Sequence, residues 1–92
     1  MAFKKGESNK PVRKLEIWPL SAAVWQQQAH NGDIFYNTTF QRAYKDADGK
    51  WQHSDSFGRD DLLALGKLAN EAHSFIVIQE KKDRNGTAEN RD

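Results

Sequence analysis

Three tryptophans, two tyrosines and three of the five phenylalanines fall between residues 18 and 57 of this chain. Trp18, Trp25, Trp51, Tyr36, Tyr44 and the phenylalanines Phe35, Phe40, Phe57 and Phe75 exceed what a core of this size needs. Exposed rings offer flat stacking surfaces, and stacking against a nucleobase is worth about 1–3 kcal/mol whatever the base, because every base has a π-face. Arg13, Lys14, Arg42, Lys45 and Lys50 could neutralise phosphates. Tyr44, Lys45, Lys50 and Trp51 fall around one hairpin end, where rings and charge would meet. The plainer alternative is that these rings fill a core and its rim; Phe40, Phe57 and Phe75 read as core. Asn37, Thr39 and Gln41 form a polar uncharged row with Lys45, suited to hydrogen bonding a ligand or simply to facing water.

Catalytic chemistry finds little here. His30, His53 and His73 fall in a turn, a strand and a helix with no paired ligand spacing. The chain has no cysteine, no P-loop and no nucleophile elbow. Asp60 and Asp61 are adjacent carboxylates, but a helix start explains them. Asp46-Ala-Asp-Gly49 resembles the opening of a calcium loop yet lacks the later carboxylate, and reads as a turn. No enzyme activity, cofactor or metal is expected.

The elements that must position these groups follow from periodicity. Residues 12–18 alternate, with Leu15 and Ile17 on either side of Glu16, as a half-buried strand does. Pro19 cannot donate to a sheet ladder and belongs at an edge, a bulge or a corner. Residues 21–28 are rich in Ala and Gln and also fit a helix; their length and the preceding proline predict a strand. His30-Asn-Gly-Asp33 is a turn. Residues 34–45 form the strongest strand. The first four of its even row (Ile34, Tyr36, Thr38, Phe40, Arg42, Tyr44) are apolar enough for the core and its odd row is mostly polar. Arg42 and Tyr44 therefore reach a ligand shared with the odd row only if a bulge or strong curvature re-aims them. After the turn ending at Gly49, residues 51–57 predict a fourth strand. A helix begins near residues 58–60, with Leu62, Leu65, Leu68, Ala69, Ala72, Phe75 and Ile76 as an apolar stripe wide enough to cover the sheet and meet a second copy. Gly66 within it costs about 1 kcal/mol relative to Ala.

Ninety-two residues bound the chain to one domain. Residues 1–11 and 80–92 are nearly devoid of apolar side chains, which predicts a disordered basic arm and a disordered tail around a β-β-β-β-α unit at 12–79. Without cysteine for disulfides, so small a unit points to self-association. The net charge of +1 conceals a basic arm of +4 over residues 1–14 and a balance of −2 over residues 15–58. With no membrane-length apolar run and no signal-peptide pattern, a cytoplasmic protein is expected.

The order of four strands, an Asp-x-x-Gly hairpin with Tyr44 before Asp46-Ala-Asp-Gly49, and Phe57-Gly-Arg-Asp-Asp-Leu62 leading into a helix resembles the DNA-binding domain of the positive cofactor 4 transcriptional coactivators, a plan related to that of the plant Whirly proteins. The resemblance spans residues 12–75. It implies an α+β fold with a curved four-stranded antiparallel sheet and one C-terminal amphipathic helix, a homodimer, and single-stranded DNA held on the sheets. Two departures stand out: the strands here are poorer in Lys and Arg, and Gln41 stands where the family has a base.

The expected function is thus binding of single-stranded DNA or RNA with weak sequence preference, in a coactivator-like or nucleoid-associated role that could involve the transcription machinery. Arg13, Lys14, Trp25, Arg42, Tyr44, Lys45, Lys50 and Trp51 are the expected contacts. The alternative is a dimeric protein-interaction or scaffold module using the same sheet face for a protein partner.

Overall fold

The computed structural model describes residues 10–88, with side chains through residue 84. The basic arm expected over residues 1–11 therefore lies almost wholly outside the described residues, as do the last four positions of the tail. Four strands follow in chain order: β1 (Arg13–Ile17), β2 (Leu20–Gln28), β3 (Ile34–Lys45) and β4 (Trp51–Ser54). A single 3₁₀ turn at Arg59–Asp61 leads into the helix α1 (Leu62–Ala88). The strands form one antiparallel sheet in the order β1-β2-β3-β4, so each pairs with its sequence neighbour. This is the expected α+β plan, with β2 a strand despite its Ala and Gln content.

Local chemistry sets each connection. Trp18 and Pro19 make the two-residue link between β1 and β2, joined by a cis peptide bond; proline's corner is the first one. Gly32 and Gly49 adopt φ values of 93° and 80°, a backbone region open to glycine at little steric cost. Asp46 organises the β3–β4 turn: its Oδ1 accepts the N–H groups of Asp48 and Lys50 at 2.9 Å, and its Oδ2 accepts Gln52 Nε2 at 3.0 Å. The turn reading of Asp-x-Asp-Gly is thereby explained. These hydrogen bonds, led by that from Lys50, hold the Asp46 carboxyl below its ordinary value.

β4 ends at Ser54 rather than running to residue 57. Ser54 Oγ accepts the N–H of Ser56 at 3.0 Å, an alternative to the ladder that turns the backbone away. The chain then enters the 3₁₀ turn, where Asp61 Oδ2 accepts the Gly58 N–H at 2.9 Å.

The helix covers one sheet face. Leu20, Ala22 and Leu68 are buried together, with Leu15, Ile17, Phe40, Phe57, Ala64 and Leu65 packed around them. Val24 and Ala72 are buried as well. Of the expected helix stripe, Leu65, Leu68, Ala72, Phe75 and Ile76 are buried or half-buried, but Leu62 and Ala69 are exposed. The stripe is narrower than its composition implies, because positions 62 and 69 lie more than a quarter-turn from Leu68.

The helix also runs to Ala88, nine residues past the expected tail boundary. Composition failed there for a physical reason: Glu, Lys, Arg and Gln are good helix formers that need no core. The extension is tied to the sheet by Tyr36, whose Oη donates to Asp83 Oδ2 at 2.7 Å.

Candidate functional site

Strand pairing assigns every side chain to a face, because directly opposed residues point the same way. Leu15, Ala22, Phe40 and their cross-strand row mates lie beneath the helix. The alternate row is open: Lys14 and Glu16 in β1, Ser21, Ala23, Trp25 and Gln27 in β2, the odd residues 35–45 in β3, and Trp51 and His53 in β4. The register is unbroken along β2–β3 and β3–β4, so no bulge re-aims a side chain.

The expected contact residues consequently divide. Lys14, Trp25, Lys45 and Trp51 share the open face. Arg13, Arg42 and Tyr44 belong to the helix side and are not brought to it. Arg13 lies 5.6 Å above the Phe75 ring of α1. Arg42 Nε donates to the Ser56 carbonyl at 3.2 Å and stands 3.3 Å from Asp61 Oδ2, with its guanidinium 5.8 Å from the Tyr44 ring. Arg42 thus fastens β3 to the helix start. Lys50 sits in the turn beyond both faces, its N–H held by Asp46.

A groove of about 530 Å³ crosses the open face. Small and polar side chains form its floor: Ser21, Ala23, Thr39, Gln41 and Ala43. Lys14, Trp18 and Trp25 stand among its walls. Trp25 is half-buried and its indole Nε1 donates to Thr39 Oγ1 at 3.1 Å, which fixes the ring across two strands. Among the described residues, Trp18 and Trp51 are the most exposed rings, at 63% and 55%. They meet edge to face with centroids 5.5 Å apart, and Lys45 Nζ lies 5.5 Å from the Trp51 ring.

Ser21, Ala23 and Ala43 are not among the residues expected in the site, Trp18 is expected only as one of the available rings, and Thr39 and Gln41 as members of a polar row. Trp18 comes from the β1–β2 turn and Trp51 from β4. The backbone links the two elements: Ala43 N–H donates to the Pro19 carbonyl on one side, and Ala43 pairs with His53 on the other. The signal lay in the odd-row residues Ser21, Ala23, Thr39, Gln41 and Ala43, small or uncharged throughout.

The ionisable groups on the open face are Lys14, Glu16, Lys45 and His53. Its electrostatics are therefore mild and its character is set by rings and hydrogen-bonding groups. No group of His, Cys, Asp or Glu among the described residues could hold a metal ion, and no helix there is long and apolar enough to cross a membrane. No protein family, curated protein or solved structure matches this chain.

Proposed function

We propose that the open sheet face binds single-stranded nucleic acid, preferably DNA, with weak sequence preference. The observation that carries this reading is the placement of all three tryptophans on the helix-free side: Trp18 and Trp25 line the groove with Lys14 and Glu16, while Trp51, with Lys45 beside it, packs against Trp18. Trp18, Trp25 and Trp51 would stack on bases, while Ser21, Thr39 and Gln41 would hydrogen-bond base edges or sugar. The two lysines would contact phosphate. An open groove on a sheet suits an extended polymer whose bases are unpaired. The likeness to the positive cofactor 4 plan supports the same reading and implies a coactivator-like role.

Anisotropy titration of a labelled oligo-dT at two salt concentrations tests it. Binding should weaken as salt rises, with a shallow slope because few phosphates meet a cation. Absence of binding at low salt overturns it. The sparse cations favour one other reading, a protein-interaction module using this face. That reading predicts a partner retained in pull-downs after nuclease treatment.

A further inference from the structure

β3 outruns the strand beside it. β4 pairs only with residues 42–45, from Arg42↔Ser54 to Lys45↔Trp51. Residues 34–41 are paired on the β2 side alone. The hydrogen bond from Ala43 N–H to the Pro19 carbonyl directs the odd residues' backbone groups to β2, and that from Asp46 N–H to the Lys50 carbonyl directs the even ones outward. The N–H and C=O groups of Tyr36, Thr38 and Phe40 thus point along an edge where no described strand lies. Residues 34–41 contain no charge or proline, and no bulge interrupts them. Those are the devices that normally blunt an edge, and an edge without them is a template for another strand.

The surroundings of this edge define what fits it. At the Phe40 end β4 stops at Ser54 and leaves a cavity of about 570 Å³, lined by Phe40, Gln41, Tyr44, Ser54 and Asp55 among others. Asp55 is exposed, and no ion pair among the described residues uses it. At the other end Glu80 and Asp83 lie near Tyr36, whose hydroxyl donates to Asp83. Both ends are therefore acidic and the stretch between them is neutral. Asp61 and Asp83 reach Arg42 and Tyr36 in β3, whereas Phe75 lies by Arg13 in β1. The helix thus turns its Leu62 and Ala69 flank towards the edge, and Leu62 is 52% exposed there.

We propose that this edge takes an extended segment of a different protein, added antiparallel to β3 and carrying a basic residue at each end. Antiparallel addition continues the line that β4 leaves and makes the stronger ladder. It sets the segment's N-terminal cation beside Asp55 and its C-terminal cation near Glu80 and Asp83. Segment residues opposite Tyr36, Thr38 and Phe40 face the helix side, where apolar side chains would cover Leu62; those opposite Asn37 and Thr39 face the open side and suit polar ones. Main-chain bonds supply the affinity, and the side chains and flanking charges supply the selection. Residues 34–41 of a second copy offer no cation to these carboxylates, and a phosphate backbone would be repelled by them. Occupation of the edge is independent of what the open face binds.

The probe is an end-blocked synthetic peptide, Lys-Val-Thr-Val-Thr-Val-Thr-Lys, titrated into the full chain and followed by amide NMR and exchange. Binding should saturate, with the Tyr36, Thr38 and Phe40 amides shifting and gaining protection. Replacing both peptide lysines by glutamate should weaken binding about tenfold, as two small ion pairs are lost and reversed. Asp55→Lys in the protein should weaken the basic peptide about threefold, since one pair is affected. N-methylation of the peptide's valines, whose amides face β3, should abolish binding, whereas N-methylation of its threonines should leave it intact. Thr38→Pro, which removes an N–H that no neighbour within the chain uses, should abolish it too. Failure of the basic peptide to bind, equal binding of the acidic one, or tolerance of the valine methyl groups overturns the proposal. So do edge amides already protected in the free chain at high dilution, which would mean that the chain covers its own edge. Protection that rises with protein concentration alone also overturns it, because the occupant is then a second copy.

Discussion

The hydroxyl of Tyr36 donates a 2.7 Å hydrogen bond to Asp83, across 47 residues of chain. It ties the far part of α1 to the start of β3. Tyr36→Phe should speed amide exchange beyond residue 79 while leaving the Leu68 region unchanged, at a cost of about 1 kcal/mol or less. Burial and the Asp83 bond raise the phenol's pKa above its ordinary value. The neutral phenol is thus favoured by folding. Its contribution is complete below the unfolded pKa of 10.0 and is lost as pH rises through the folded value. A phenolate absorbance titration of the wild type against Asp83→Asn checks the direction: the raised midpoint should fall in the variant.

The separation of faces makes the binding proposal selective. Trp25→Ala or Trp51→Ala should weaken oligo-dT binding about tenfold, in the range of one lost stacking contact. Tyr44→Ala, on the helix side, should leave affinity within about twofold, well below the effect of losing a stack. Lys45→Ala should flatten the salt slope. Arg42→Ala should leave the slope alone and instead lower stability by up to about 1 kcal/mol, as expected for a partly exposed ion pair. Anisotropy and urea denaturation on the five variants separate these outcomes.

Leu68 and Gly66 share one helix and predict opposite shifts. Leu68 is fully buried against Leu20 and Ala22, so Leu68→Ala should cost about 2–5 kcal/mol. A Cβ built on Gly66 meets nothing within 4 Å. No close approach within the chain requires glycine there, and Gly66→Ala should add about 0.5–1 kcal/mol by raising helix propensity. Thermal and urea unfolding of both variants provide the measurement.

Acid should act on the β3–β4 turn through Asp46. Its folded pKa lies below its ordinary value, so its contribution is present above about pH 3.8 and disappears as pH falls through the folded value. Asp46→Ala should remove that pH dependence and loosen the Lys50 and Gln52 amides first. An NMR titration of the Asp46 carboxyl carbon, with exchange rates of those amides, reports both.

Much of this architecture was legible because alternation and helical spacing are local signals. The even and odd rows of β3 separated the helix side from the open side, and Asp-x-x-Gly marked the turn. The rest escaped for reasons of different kinds. The end of β4 depends on Ser54 capturing a neighbouring N–H, which competes with the ladder. The helix beyond residue 79 is built of residues that also compose unfolded tails, and what distinguishes them is a tyrosine distant in sequence. Arg42 and Tyr44 drew attention by type, but their position parity already assigned them to the helix side. Trp18 was visible as a ring, yet its meeting with Trp51 needed the width of the intervening strand.

One consequence of the sheet's handed sorting concerns how this molecule can be watched. Every indole lies on the side away from the helix, whereas Tyr36 and Tyr44 lie on the other. Selective excitation of the indoles therefore gives a native optical probe of one side only. Quenching or a spectral shift will register an occupant of the groove with no dye attached, and the phenols supply an internal control from the opposite surface.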